Sequence, residues 1–503
     1  MRSIVAAALG LGLATGLSIA CGSSGQEPAA SNGDAGALDA SASIDAGPFA
    51  FSMPCTDSTD TIYEAPDAAT FAHGDLVRCA TGTTLTRETI QAGFVTGGTT
   101  ARPPISGALE YRILYRTERA TNPVSQGYAT ASVFLPDTPR AGALPVIAIA
   151  HGTEGTGGAC ANSKTGNLDP RNPQFSMVFT LVARGFAVVA ADYAGYASYG
   201  SNPPAGYLFA DDEAKSVLDA ARALRQLAPK SFGENVVVVG YSQGGHSALS
   251  ALAEESSYGT GGKLAGVVGY SPLWFNMGTW AAAFYEASAF QLADPASGGL
   301  IKYDIWYHYT HGELLDGPGH GVDVFAADKR GAIKDFVDTV CNPGDAGMIT
   351  SIPGDLANLY DPDFLAAVTN SQALGNACPT DPTRNALCQK WKPRYAADRP
   401  HITSDATKVP TLLVRGGEDI DIPQDRFVCG TDRLTADGVS FEVCYEPTAS
   451  HTTTIAVRGD YVADWVAHVA LGEPAPAACP LNGSAIIDDA GAPITCGTPP
   501  SND

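Results

Sequence analysis

The sequence predicts an α/β protein with a mostly parallel central sheet and helices on both faces. Three observations carry this. The runs Pro145–Ala150 and Val236–Val239 are unbroken by polar residues, as strands buried on both faces are. Other stretches carry apolar residues at helical spacing, most clearly Val217, Leu218, Ala221, Leu224 and Leu227 within 210–227. Finally, the two kinds of segment alternate along the chain.

The 503 residues, 45% apolar and 17% charged, are enough to bury a large core. A net charge of −23 argues against nucleic acid or an anionic membrane surface as partner. Met1 and Arg2 followed by the apolar run Ile4–Ile19 read as a signal peptide over 1–20. The stretch Leu17–Cys21 is similar to a bacterial lipoprotein signal, which makes Cys21 the expected lipid attachment point and route to a membrane. Ser18 stands where such signals usually carry leucine, so cleavage after Ala20 with secretion is the alternative. Of eleven cysteines, ten remain once Cys21 is set aside, an even number suited to disulfides in an oxidising compartment. Residues 21–48, nearly all Gly, Ser, Ala and Asp, are expected to form a flexible tether. The chain is thus expected to be exported, as an outer-membrane or periplasmic lipoprotein or a secreted protein; its oligomeric state is left open.

A first core part is expected over 49–270. Its beginning, 49–107, shows no clear period and reads as loops, with a disulfide between Cys55 and Cys79 plausible. Leu109–Arg116 and Gly127–Leu135 are rich in Tyr, Ile, Val and Phe and predict an antiparallel hairpin. The strand 145–150 follows, ending at His151-Gly152-Thr153-Glu154; then a helix over 174–184, a strand over 186–191 and a helix over 210–227, whose Asp211, Asp212 and Glu213 suit a helix N-terminus. The valine run ends in Gly240-Tyr241-Ser242-Gln243-Gly244-Gly245 and a helix, with another strand at 264–270. The rhythm fails over 271–408, where aromatic residues such as Trp274, Phe275, Trp306 and Phe364 are common. Too long for a bare loop, this stretch reads as a largely helical insertion capping the sheet edge. A second core part, 409–471, holds strands at 409–414 and 439–445 and a helix at 455–471, with Val457, Tyr461, Val462, Trp465 and Val469 as its packing side. The tail, 472–503, is rich in Ala, Pro and Gly and is expected to be looped by a disulfide between Cys479 and Cys496.

Strand, Gly-x-Ser-x-Gly and helix in succession form the context of a nucleophile elbow. Gly240 and Gly244 are needed because side chains there would collide with the neighbouring strand or helix. A serine hydroxyl is a poor nucleophile at neutral pH, so it needs a base in reach and a carboxylate to hold that base. Ser242, Asp419 and His451 come in the chain order this fold uses, each after a strand. Asp421 is the second choice for the acid, and Glu418 also competes. His451 is preferred to His468 because the latter lies within a helix. A developing oxyanion needs aimed backbone N–H groups, expected from Gln243 and Thr153, with Glu154 as the alternative to Thr153. His151 is expected to support the loop, and His151, Gly152, Tyr241, Trp274 and Phe275 to line the substrate site. His308 and His311 lack a third ligand and are read as cap histidines, with no metal and no cofactor expected. Asp192 is read as a structural strand-end carboxylate.

The chain resembles the secretory lipase family of α/β-hydrolases. The resemblance is carried by Tyr111–Arg116, His151-Gly-Thr with Cys160-Ala-Asn-Ser163, Ala191-Asp-Tyr193, Gly240–Gly245, Asp419 ahead of Ile-Pro, and His451. It covers roughly 108–470 and implies the α/β-hydrolase fold and cofactor-free hydrolysis of carboxylic esters, often acylglycerols. It also implies that Cys160 bonds a cap cysteine, Cys341 being nearest in setting. Asn162 departs from the family's usual proline. A serine peptidase on the same fold and a non-catalytic binding protein are the competing expectations, told apart by ester and peptide turnover.

Overall fold

The computed structural model describes residues 48–67, 72–164, 166–197, 202–274, 295–341, 352, 358–369, 377–479 and 492–496, without the side chains of 295–300. The expected signal peptide, Cys21, nearly all of the tether and Phe275 lie outside them. Among the described residues no helix is long and apolar enough to cross a membrane.

Nine strands form one sheet: β1 (Leu76–Leu85), β2 (Ala108–Arg119), β3 (Ser125–Pro136), β4 (Leu144–Ala150), β5 (Ala187–Ala194), β6 (Phe232–Tyr241), β7 (Lys263–Tyr270), β8 (Thr411–Gly416) and β9 (Phe441–Glu446). Their spatial order is β1-β2-β3-β5-β4-β6-β7-β8-β9. The first three strands and the β3/β5 pair are antiparallel. Every pairing from β5 to β9 is parallel. The expected hairpin is the β2/β3 pair, longer at both ends than its sequence signal.

Alternation along the central strands splits the core between two faces. Val146, Ala148, Val236 and Val238 pack on one side, with Val217, Leu218 and Leu224 of α3 (Ala210–Leu227) and Leu249 and Leu252 of α4 (Gln243–Glu254). Ile147, Ile149, Val237 and Val239 pack on the other, with Phe94 of α1 (Arg87–Thr96), Phe175 and Phe179 of α2 (Pro173–Val182), and Trp465 and Val466 of the C-terminal helix. Each fully buried Val, Leu, Ile or Phe contributes on the order of 2 kcal/mol from water exclusion alone, so both faces hold the sheet firmly.

Between β7 and β8 come α5 (Pro295–Leu315), α6 (Arg330–Thr339), α7 (Pro362–Thr369) and α8 (Pro382–Ala397). They share a separate apolar cluster that includes Ile305, Trp306, Phe325, Phe336, Phe364 and Trp391. After β8 come α9 (Gln424–Ala436) and, beyond β9, α10 (Thr453–Leu471).

Several expectations change. Residues 49–107 are not all loops: β1 and α1 lie there, the strand half-covered and so without a clear alternation. On α10, Val462 and Trp465 are buried as expected and Tyr461 and Val469 pack half-buried against the same cluster, but the buried side also takes in Ile455, Ala456, Gly459, Ala463 and Val466, and Val457 is only half-buried. Cys55–Cys79 and Cys160–Cys341 form. The Cys479–Cys496 pairing does not: Cys429 of α9 bonds Cys496, and Cys444 of β9 bonds Cys479. The tail is therefore stapled to the core and not looped on itself. Cys378–Cys388 completes five disulfides among the described residues.

Candidate active site

The turn from β6 into α4 sets Ser242 at φ 55° and ψ −116°, a conformation costly for any residue with a side chain. Two glycines permit it. A Cβ on Gly240 would lie 1.8 Å from the Gly244 carbonyl oxygen, and one on Gly244 would lie 2.0 Å from that of Ala150. The Ser242 N–H donates to Tyr270 O (2.9 Å), and Leu273 N–H donates to Ser242 O (3.1 Å), fixing the elbow against the end of β7.

Three distant loops meet here. His451 Nε2 lies 2.9 Å from Ser242 Oγ, and its Nδ1 lies 2.9 Å from Asp419 Oδ2 and 3.1 Å from Oδ1. With Nδ1–H donating to the carboxylate, Nε2 is left free to accept the serine proton. Burial tends to raise the pKa of Asp419, but the hydrogen bond and charge of His451 and the Ile422 N–H (2.9 Å) outweigh it and hold the carboxyl below its ordinary range. Asp419 thus stays ionised beside the imidazole. Asp421 is exposed; one ligand atom from each of Asp419, Asp421 and His451 fall within 4.8 Å of one another, though both Asp419 oxygens already face His451.

Gln243 opens α4, where the first amides have no intrahelical carbonyl to meet. On the facing loop Thr153 is half-buried, its Oγ1 3.0 Å from the Tyr207 hydroxyl. Gly152 lies against Tyr241, where an added Cβ would come within 2.9 Å of the ring. That same ring packs on His451 with centroids 4.9 Å apart. His151 has no exposed surface; its Nδ1 is 2.6 Å from Gly152 O and its ring packs on Tyr193, so it is placed to hold the loop and not to touch a substrate. Burial pushes its pKa down to about 4 and keeps it neutral. Glu154 is half-buried, with its carboxyl pushed up to about 7 by burial despite the amides of Asn162 (3.2 Å) and Asn172 (3.3 Å). Trp274 is 3% exposed and lies over Gly430 of α9, in a cluster with Leu413 and Phe427.

Asp192 accepts from Ser163 and Thr130 at the end of β5, a structural role. His308 and His311 are buried within α5, where His308 meets Asp304 O and the Tyr395 hydroxyl, and His311 meets Tyr307 O and Asp398. The sequence reading missed Glu213. It is fully buried and takes hydrogen bonds from Gln243 and Ser247 of α4. A run of acids at a helix start signals the macrodipole equally well, so nothing local marks this one as interior.

A mostly parallel nine-stranded sheet with a strand–serine–helix elbow and an insertion before the acid strand defines the α/β-hydrolase class. Within it the family model for secretory lipases matches residues 172–278, the span from α2 through the elbow to just beyond β7. No curated protein sequence matches. Solved structures with the same fold include a rice cell wall degrading esterase, LipA, from Xanthomonas oryzae, at 16% identity and TM-score 0.57, covering 80% of this chain and 100% of that one. Candida antarctica lipase A in its closed state matches at 16% identity and TM-score 0.59, with 84% and 87% of the two chains covered. A putative hydrolase from Legionella pneumophila matches at 17% identity and TM-score 0.57 over 78% and 98%. Over residues 172–278 the chain resembles the secretory lipases. Its several disulfides and the secretory lipase match are consistent with export.

Proposed function

We propose that the protein cleaves carboxylic esters through an acyl-enzyme formed on Ser242. The observation that carries this reading is the in-line placement of Asp419, His451 and Ser242, with 2.9 Å at both links. Ser242 Oγ attacks the ester carbonyl carbon while His451 Nε2 takes its proton. The N–H groups of Gln243 and Thr153 receive the negative oxygen, each worth roughly 3–4 kcal/mol in such sites. Collapse breaks the carbon–oxygen bond of the leaving alcohol, which departs with the proton from His451. Water then attacks the acyl group, gives its proton to His451, and the serine oxygen recovers it as the acid leaves. Asp419 orients the imidazole and stabilises its charge throughout. Tyr241, which packs on His451 with Gly152 against its ring, is read together with Trp274 as bordering the substrate, and the aromatic insertion is suited to an apolar acyl or aryl group. The protein acts after export, and Cys21 is the candidate point of lipid attachment.

The test is a panel of nitrophenyl esters of increasing acyl length, run beside a peptide panel. Wild-type protein is expected to release nitrophenol, with the acyl profile separating an esterase from a lipase, and Ser242→Ala to release none. Full turnover by Ser242→Ala, or peptides cleaved faster than every ester, would overturn the reading.

A further inference from the structure

The first two turns of α4 send three polar side chains away from Ser242 into the protein interior. Gln243 Nε2 donates to Glu213 Oε1 (2.6 Å), Ser247 Oγ donates to Oε2 (2.6 Å), and His246 Nδ1 lies 3.1 Å from that same oxygen. The backbone N–H of Leu208 adds a fourth donor to Oε1 (2.7 Å). Glu213, His246 and Ser247 are 0% exposed and Gln243 is 1%. Four partners match the accepting capacity of an ionised carboxylate.

His246 is held from both ends. Its Nε2 lies 2.7 Å from the Asp398 carbonyl oxygen, which can only accept. Both ring nitrogens therefore face acceptors, and a neutral imidazole, with one bare nitrogen, would set two lone pairs against each other at one of them. Doubly protonated, the ring donates to both. Burial works against that charge, but the hydrogen bond and negative charge of Glu213 outweigh it and raise the His246 pKa above its ordinary value.

The contacts continue into the inserted helices. Asp398, just past α8, accepts from Ala210 N–H (3.1 Å) and from His311 Nε2 (2.9 Å) and the Tyr307 hydroxyl of α5. Among the described residues, the titratable groups shown to act on His246 are Glu213 from α3 and Asp398 from the insertion. Tyr193 is reached through Ser247, and Tyr307 and His311 through Asp398.

We propose that Glu213 and His246 form a buried ion pair that positions the Gln243 amide and makes its placement depend on the seating of the inserted helices. Both are positioning residues acting through Gln243, and the proposal rests on the oxyanion role given to that amide. Loss of either partner leaves the other buried and uncompensated, and a small displacement of an oxyanion donor costs turnover more than binding.

Two measurements on the full chain test this. In protein labelled with ¹⁵N-histidine, the His246 signal, assigned by its loss in His246→Gln, is expected to report two protonated ring nitrogens at pH 7. Glu213→Gln is expected to lower kcat per Ser242, counted by titration with an organophosphonate, by roughly tenfold or more while KM stays within about twofold. A merely structural role would reduce the number of titratable sites and leave kcat per site unchanged. If Glu213→Gln does not fold, the wild-type spectrum decides, assigned by the shift it undergoes in Ser247→Ala should His246→Gln also fail. A neutral His246 at pH 7, or unchanged kcat per site in folded Glu213→Gln, overturns the proposal. Absence of ester turnover in the wild type would instead sink the assignment of function, while the protonation of His246 would still be read.

Discussion

The disulfide between Cys160 and Cys341 joins the loop after β4 to the end of α6, and a backbone bridge between Gly155 and Cys341 lies beside it. The loop that carries Thr153 is therefore clamped to the insertion and not free to sample other shapes. Cys160→Ser with Cys341→Ser is expected to cost about 2–5 kcal/mol of stability and to lower kcat as the Thr153 amide loses its aim. Thermal melts and nitrophenyl ester kinetics check this; an unchanged kcat would show that the clamp serves stability alone.

Asp419 and Asp421 are two residues apart, yet it is Asp419 whose carboxylate hydrogen-bonds His451. Asp419→Asn is expected to lower kcat by up to roughly 10⁴-fold through loss of the correct imidazole tautomer, and Asp421→Asn to change it by a few-fold at most. Steady-state kinetics of both variants decide between them.

Gly240 and Gly244 have no room for a methyl group, because carbonyl oxygens stand 1.8 and 2.0 Å from the positions a Cβ would take. Either one changed to Ala is expected to cost more than about 4 kcal/mol and to leave little soluble protein, as judged by expression and melting temperature. A well-folded Gly240→Ala with full activity would contradict the close packing described.

His308 is held neutral, its pKa pushed down to about 3 from 6.5 by burial, and its ring packs against Tyr360, Phe364, Trp391 and Tyr395. A folded pKa below the unfolded one means that the unfolded chain binds the extra proton. The contribution of His308 to stability is therefore complete above the unfolded value and lost as pH falls towards the folded one. The melting-temperature advantage of wild type over His308→Gln is expected to shrink steadily from pH 7 to pH 4. An advantage independent of pH would show that this ring is not buried neutral.

Removing residues 473–503 takes away Cys479 and Cys496 and frees Cys444 of β9 and Cys429 of α9, the elements that frame the Asp419 and His451 loops. The truncated protein is expected to melt lower and to lose activity together, measured by calorimetry and ester turnover.

What the sequence made legible was whatever is written locally. The valine run and its glycines announced β6 and the elbow, and strand ends carrying Ser242, Asp419 and His451 in order announced the array. The β1 strand and α1 were not legible because their buried apolar residues are few, Ile90 and Phe94 on the helix and Cys79, Ala80 and Leu85 on the strand, leaving no period to read. Most of the packing side of α10 was legible, since Val462 and Trp465 are buried and Tyr461 and Val469 pack against the same cluster, while Gly459, whose added Cβ would lie 2.5 Å from Thr180, carries no apolar signal to read. Cysteine parity fixed how many bridges to expect but could not say that Cys479 and Cys496 reach past each other to strands and helices far back in the chain. Asp212 and Glu213 look like ordinary first-turn acids. Their partners, Arg119 for one and Gln243, His246 and Ser247 for the other, exist only once the sheet has brought distant segments together.

The two tail bridges are nested, Cys444–Cys479 lying inside the loop that Cys429–Cys496 closes. A chain oxidised as it emerges would first bring together Cys429 and Cys444, neighbours in sequence and partners in neither native bond. Correct maturation therefore calls for the carboxyl terminus to have crossed into the oxidising space before these thiols are committed, or for a catalyst of thiol exchange to undo the early mistake. Yield of native enzyme should accordingly depend on isomerase supply in any host that makes it.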